Sequence, residues 1–285
     1  MLTLFRSKPS QVFYIRGYAK SGTNWLCNLM NLHPDVRCTG EFHLKALFDG
    51  FSQMREERWS FLNQAPSSDL LSNAFHHMIK TLIIEACGKA PWCGDRTPLP
   101  LRATLLPGVK HIYVTRDGRD VLVSWIYHSY NWDLASTEKQ RENRRRFQAD
   151  PYYFEEHKHE LLECEEAVRS FGAEWNAQIL DDFRMMAAAD RGEIDLDYRW
   201  VRYEDLQVDT LGYRDQLLKY LGLDATRARP LTSETQPGFG DPNTNRPKEF
   251  FRRGLSGTWQ EYFTALQLNW FEDEAREALE LVAAK

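Results

Sequence analysis

The sequence predicts an α/β fold: a single domain with a central parallel sheet flanked by helices. Three observations predict it. The β-rich run Val12–Arg16 enters a glycine-containing loop, Gly17–Gly22, and leaves it into a helical segment. Nucleotide-binding α/β domains open with that order of strand, loop and helix. The run His111–Thr115 is continuous and β-branched, as strands covered on both faces of a parallel sheet are. Strand-like and helix-like segments then alternate along the chain, the signature of crossover connections.

The elements follow in order. Thr23–Leu32 reads as a helix stopped by His33-Pro34, because the residue before a proline is pushed out of helical geometry. Trp92–Asp95 reads as a short strand and His111–Thr115 as a stronger one. Arg119–Tyr130 reads as a helix, Ala167–Ala189 as a long helix and Arg199–Tyr203 as a strand. No internal repeat or linker divides residues 1–285, a length that fits one large domain. Two segments read as irregular. Asp133–Cys164 is dense in charge and aromatics, including Arg144-Arg145-Arg146 and Tyr152-Tyr153-Phe154. It reads as a solvated insertion or as a lid. Asp224–Gly257 carries four prolines and several glycines, and so long a loop is usually functional or mobile.

Composition narrows the function. Hydrophobic residues at 42% and aromatics at 13% are enough for a sizeable core. A net charge of −5 argues against nucleic-acid binding through a basic face. The five cysteines are odd in number and lack a C-x-x-C pair, so they read as reduced thiols of a cytoplasmic protein, with no structural zinc. No apolar run is long enough for a signal peptide or a membrane span.

The first chemistry lies in Gly17-Tyr-Ala-Lys20-Ser21-Gly22-Thr23-Asn24-Trp25. Its glycines have the G-x-x-x-x-G spacing of a P-loop, which turns backbone N–H groups and a helix N-terminus toward an anion. A nucleoside-triphosphate P-loop places Lys directly after the second Gly. Here Thr23 holds that place, and Lys20 lies two residues before Gly22. The aspartate that holds Mg²⁺ at the end of a neighbouring strand is also replaced, by Arg116. A phosphorylated ligand is therefore expected to be held by side-chain cations, without a metal.

The segment Tyr18–Trp25 resembles the 5′-phosphosulfate loop of sulfotransferases, Y-P-K-S-G-T-T-W, with Ala19 for Pro and Asn24 for Thr. Tyr113–Ser124 resembles the family's 3′-phosphate motif, Y-V-x-R-N-P-x-D-x-x-V-S, with Arg116 and Ser124 at the required spacing. Phe250–Trp259 resembles F-x-R-K-G-x-x-G-D-W, with Thr258 for Asp, and Arg202–Leu206 contains the family's Y-E-D-L. The resemblance implies a P-loop-like sulfotransferase fold and 3′-phosphoadenosine 5′-phosphosulfate (PAPS) as the cofactor. Adenosine 3′,5′-bisphosphate (PAP) would be the product. It further implies that Lys20 meets the bridging oxygen and 5′-phosphate within the loop Ser21, Gly22, Thr23 and Asn24, and that Trp25 and Tyr203 lie beside the adenine. Arg116, Ser124, Arg252, Arg253 and the Gly254 N–H would hold the 3′-phosphate. The acceptor would be a hydroxyl of a small molecule, carbohydrate or peptide.

The base is less direct. Sulfotransferases of phenols and steroids carry it as His in K-T-H-L-P. The matching Arg96-Thr97-Pro98-Leu99-Pro100 has proline at that place, though Arg96 keeps a cation. His33–Glu41 instead resembles H-P-D-V-R-C-G-E-E of tyrosylprotein sulfotransferases, which places a base on Glu41, and Gly94–Pro98 resembles G-E-K-T-P of heparan enzymes. Glu41 could otherwise be a helix N-terminal charge for Phe42–Phe51. His43 is the rival base, and His111 and His128 are weaker candidates. The family's dimer motif K-x-x-x-T-V-x-x-x-E falls on Gln260, Thr264, Ala265 and Asn269, so that contact is expected to be lost and the oligomeric state stays open. A P-loop-type kinase and a non-catalytic nucleotide-binding or interaction protein of the same fold remain the alternatives.

Overall fold

The computed structural model describes residues 9–56, 67–232 and 254–284. Its centre is a five-stranded, all-parallel sheet in the order β2-β3-β1-β4-β5. The strands are β1 (Gln11–Gly17), β2 (Val36–Cys38), β3 (Trp92–Thr97), β4 (Lys110–Thr115) and β5 (Asp197–Arg202). Four of them are the strands expected from the sequence, each shifted or extended at its ends. β2 was not expected: at three residues, on the sheet edge, it is too short to carry a period. The chain leaves β1 toward β2 on one side and later crosses from β3 over β1 to β4. That reversal opens a crevice at the carboxyl ends of the strands, where open α/β sheets bind ligands.

Both faces of the sheet are covered, as its apolar strands require. Phe13 and Ile15 of β1 and Ile112 and Val114 of β4 pack with Trp25, Leu26, Leu29 and Met30 of α1 (Thr23–Met30). After β2 come α2 (Lys45–Glu56) and α3 (Ser67–Ala86). Phe75, Ile79 and Ile83 of α3 cover Val12 and Tyr14 on the opposite face. After β4, α4 (Gly118–Asn131) packs through Val121, Val123 and Ile126 into the largest hydrophobic cluster.

Residues 133–164 are not the irregular insertion that their composition suggests. They form α5 (Glu138–Ala149), the short α6 (Tyr153–Glu156) and a 3₁₀ turn. A capping box starts α5, with Thr137 Oγ1 accepting from the Gln140 N–H and Gln140 Oε1 accepting from the Thr137 N–H. The helix buries only Asn143 and Phe147, so it has no apolar stripe to read. Its arginine run is spent locally: Arg144 donates to the Tyr130 carbonyl, and Arg146 bridges Glu142 and Glu160. Phe147 and Phe154 anchor the segment against α4.

The long α7 (Glu165–Asp190) precedes β5, and α8 (Tyr203–Val208) and α9 (Thr210–Tyr220) follow it. The chain closes with α10 (Ala265–Ala284) against α7. Of the long proline-rich loop, residues 233–253 lie outside the described part; Asp224–Thr232 and Gly254–Gly257 lie within it. No described helix is long and apolar enough to cross a membrane.

Candidate active site

All five strands deliver residues to one cavity of about 300 Å³ at their carboxyl ends. The loop after β1 contributes Ala19, Lys20, Gly22, Thr23, Asn24 and Trp25. Glu41 follows β2, Arg96 and Pro98 lie at the end of β3, Arg116 follows β4, and Tyr203 follows β5. Ser124, Trp125 and His128 of α4 and Gly254 and Leu255 complete the wall.

The phosphate loop is shaped by close approach. A Cβ on Gly17 would collide with the Val114 carbonyl of the neighbouring strand. Gly22, at φ 98°, caps α1 in the left-handed region, and a Cβ there would enter the Tyr203 ring. Lys20 adopts φ 71°, uncommon for a non-glycine residue and typical of strained functional turns. Ser21 is fully buried; its N–H donates to the Tyr18 carbonyl at 3.1 Å, and its hydroxyl has no partner among the described residues. Trp25 is buried edge-on to Tyr203, with 5.3 Å between ring centroids.

Arg116 is buried beside this loop. It donates to the carbonyls of Lys20 (3.3 Å) and Leu255 (2.8 Å) and lies 4.6 Å from the Tyr203 ring centroid. Among the described residues its Nε–H has no protein partner, nor does that of Arg96 on the same wall. Buried guanidinium donors left open on a cavity wall fit an anionic ligand. The Tyr203 hydroxyl donates to the Gly254 carbonyl at 2.7 Å, and Gln207 Nε2 donates to the same oxygen. Arg252 and Arg253 lie outside the described residues.

Two residues that sequence reasoning assigned no role organise this end of the site. Asp120 is buried and accepts from the Gly257 N–H (2.6 Å), the Trp259 N–H (3.0 Å) and the Thr258 hydroxyl (3.0 Å). Thr258 thus serves as a side-chain donor to Asp120. Gln207 holds Ser256 through its N–H at 2.9 Å. Asp120 lies four residues after Arg116, but nothing local reveals that it clamps a segment 137 residues away. Gln207 gave no sequence signal.

On the facing side, Arg96 Nη1 donates to Glu41 Oε1 at 2.5 Å. Helix α2 begins only at Lys45, so Glu41 is not a first-turn helix charge. His43 is largely exposed, off the cavity wall, with Nδ1 4.0 Å from Glu41 Oε2. His111 is fully buried against Tyr14, and burial pushes its pKa well below the usual range. His128 is the one histidine on the wall; burial first and the Lys20 cation second press its pKa down to about 4, so its ring is neutral at pH 7. Lys20 is itself pressed down to about 8 by burial, then by Arg116 and Arg96, with Glu41 opposing. His33 is structural: Nε2 meets the Asp224 carbonyl at 3.1 Å and Nδ1 accepts from the Asp35 N–H. Among the described residues, no group of His, Cys, Asp or Glu is placed to hold a metal ion.

A parallel sheet with a glycine loop after its central strand, and Arg116 where a magnesium-binding carboxylate would stand, defines a P-loop-like fold with a cavity suited to an anionic ligand. The chain belongs to the sulfotransferase domain family, whose model matches residues 10–282. Protein-tyrosine sulfotransferase A of Caenorhabditis elegans is 26% identical over 129 residues, covering 42% of this chain and 34% of the relative. The chain thus spans about a third of that relative's length. Sulfotransferase 2B1 of Mus musculus is 26% identical over 290 residues, covering 93% of this chain and 70% of the relative. A likeness of fold extends to mouse sulfotransferase SULT7A1, solved in complex with PAP, at a TM-score of 0.51 and 20% identity over 98% of this chain and 89% of that one.

Proposed function

We propose that this chain is a sulfotransferase that moves the sulfuryl group of PAPS onto an acceptor hydroxyl and releases PAP. The observation that carries the reading is the single cavity in which Lys20, Arg116, Ser124 and Tyr203 meet the Glu41–Arg96 pair. The cosubstrate supplies the sulfuryl group and a phosphate leaving group; the side chains bind, orient and move one proton. Arg116 and Ser124 hold the 3′-phosphate, with Arg252, Arg253 and Gly254 closing from the C-terminal motif. Trp25 and Tyr203 lie beside the adenine. Glu41 Oε1 is held by Arg96, and Oε2 takes the proton of the acceptor hydroxyl. Lys20, helped by Arg96, stabilises the negative charge that develops on the leaving oxygen. The acceptor is a hydroxyl-bearing small molecule, carbohydrate or peptide, and the five free thiols accord with a proposed cytoplasmic location.

The test is transfer of labelled sulfate from PAPS to a panel of hydroxyl acceptors. PAP should bind at least tenfold more tightly than ADP, a difference of about 1.4 kcal/mol, because only a 3′-phosphate fills the Arg116–Ser124 site. Equal affinities by calorimetry would reject that assignment. Activity should survive a magnesium chelator; its loss would restore the kinase alternative, which the family assignment otherwise leaves without support.

Lys20 gives a pH dependence. Its ammonium must be charged to hold anions, and its pKa in the free protein lies at about 8. An anionic ligand beside it raises that value, so the bound state holds more protons than the free state around pH 8. PAP affinity should therefore be full near pH 7 and fall as pH rises through 8. Calorimetry in buffers of different ionisation enthalpy should register proton uptake. A dissociation constant flat from pH 7 to about 9.5 would contradict the assignment.

A further inference from the structure

We propose that Asp95 is a positioning residue for Glu41: its buried carboxylate pins the segment that carries Glu41 to the end of β3. This rests on the reading of Glu41 as the base. Beyond β2 the chain is neither strand nor helix until α2 begins, with Gly40 at φ 141° and His43 at φ 52°. Such a segment has no ladder of its own to hold a side chain in place. It is tied to β3 at both neighbours of Glu41. The Arg96 N–H donates to the Gly40 carbonyl at 3.0 Å, and the Phe42 N–H donates to Asp95 Oδ1 at 3.2 Å. The Glu41 side chain makes the third tie, to Arg96.

Asp95 is fully buried, where an ionised carboxylate is costly unless hydrogen-bonded. The cost is visible as a pKa raised by burial and opposed by Thr97, Phe42 and Arg16, with Glu41 adding to the rise. An apolar residue would serve a buried strand better, as Cys93 does two residues earlier on the same strand. What Asp95 gains for its burial is the Phe42 amide, while Thr97 Oγ1 donates to Oδ2 at 2.6 Å and holds the carboxylate in orientation. The competing role, charge balance for the buried Arg16, would affect stability alone.

The experiment measures kcat, PAP affinity and melting temperature for Asp95→Ala, Asp95→Asn and Thr97→Val, each alone and combined with Glu41→Gln. Asp95→Ala should lower kcat by roughly 10²-fold, the effect of misplacing a reacting group by about 1 Å, with PAP affinity within about threefold. Asp95→Asn keeps an acceptor for the Phe42 amide and should recover most of the loss. In the Glu41→Gln background, Asp95→Ala should cost less than about twofold more, because the two act through one step. Equal losses in both backgrounds would assign Asp95 a purely structural role and overturn the proposal. If Asp95→Ala does not fold, Thr97→Val should show a several-fold loss with the same background dependence, and an equal loss in both backgrounds would again overturn it. A Glu41→Gln enzyme with normal turnover would instead remove the base reading, and this proposal with it.

Discussion

Glu41→Gln is expected to lower kcat by roughly 10²–10⁴, the usual worth of a positioned general base, while PAP affinity stays within about threefold. Gln keeps the size of the side chain and can still accept from Arg96 through its carbonyl, so the 2.5 Å contact survives in altered form. What it cannot do is take a proton. Pro98 lines the cavity, so no imidazole stands at that place. His43 is exposed and off the cavity wall, but its Nδ1 lies 4.0 Å from Glu41 Oε2, so it stays the rival base. Steady-state kinetics with saturating cofactor decides it. Near-normal turnover in Glu41→Gln would exclude Glu41 as the base, and His43 would be the next variant to test, followed by His128, which is neutral and on the wall.

Lys20→Met should lower kcat by roughly 10²–10³, the range measured when one preorganised charge-stabilising donor is removed. Methionine keeps the buried stem of the side chain and deletes only the charge. PAP binding should weaken less than kcat, because the ammonium is needed most when the leaving oxygen becomes anionic. The same variant should lose the fall in affinity above pH 8, since the group with a pKa of about 8 is gone. A variant with altered PAP affinity but normal kcat would make Lys20 a binding residue only. Persistence of the alkaline fall would place that titration elsewhere.

Much of the site was legible because it is built from short, local segments. The geometry that cradles an anion needs a strand, two glycines and a helix in immediate succession, so Gly17 to Trp25 announce it directly. Arg116 and Ser124 lie on one strand end and the helix after it, again within a few turns of chain. Where the reading failed, the local pattern carried no period. Edge strand β2 has three residues, and α5 buries only two.

The sequence by itself determined the sheet-and-helix class, the family and the cationic loop, because those follow from alternation and from contiguous motifs. Only the tertiary structure decided how distant segments meet. Glu41 and Arg96 are 55 residues apart, and Asp120 clamps a segment 137 residues away. It also decided the charge states: the neutral ring of His128 and the softened ammonium of Lys20 arise from burial and from cations on other strands. The physical reason is common to all of these. Hydrogen bonds and fields act through space, and the parallel sheet brings five strand ends to one place that the chain visits at widely separated points.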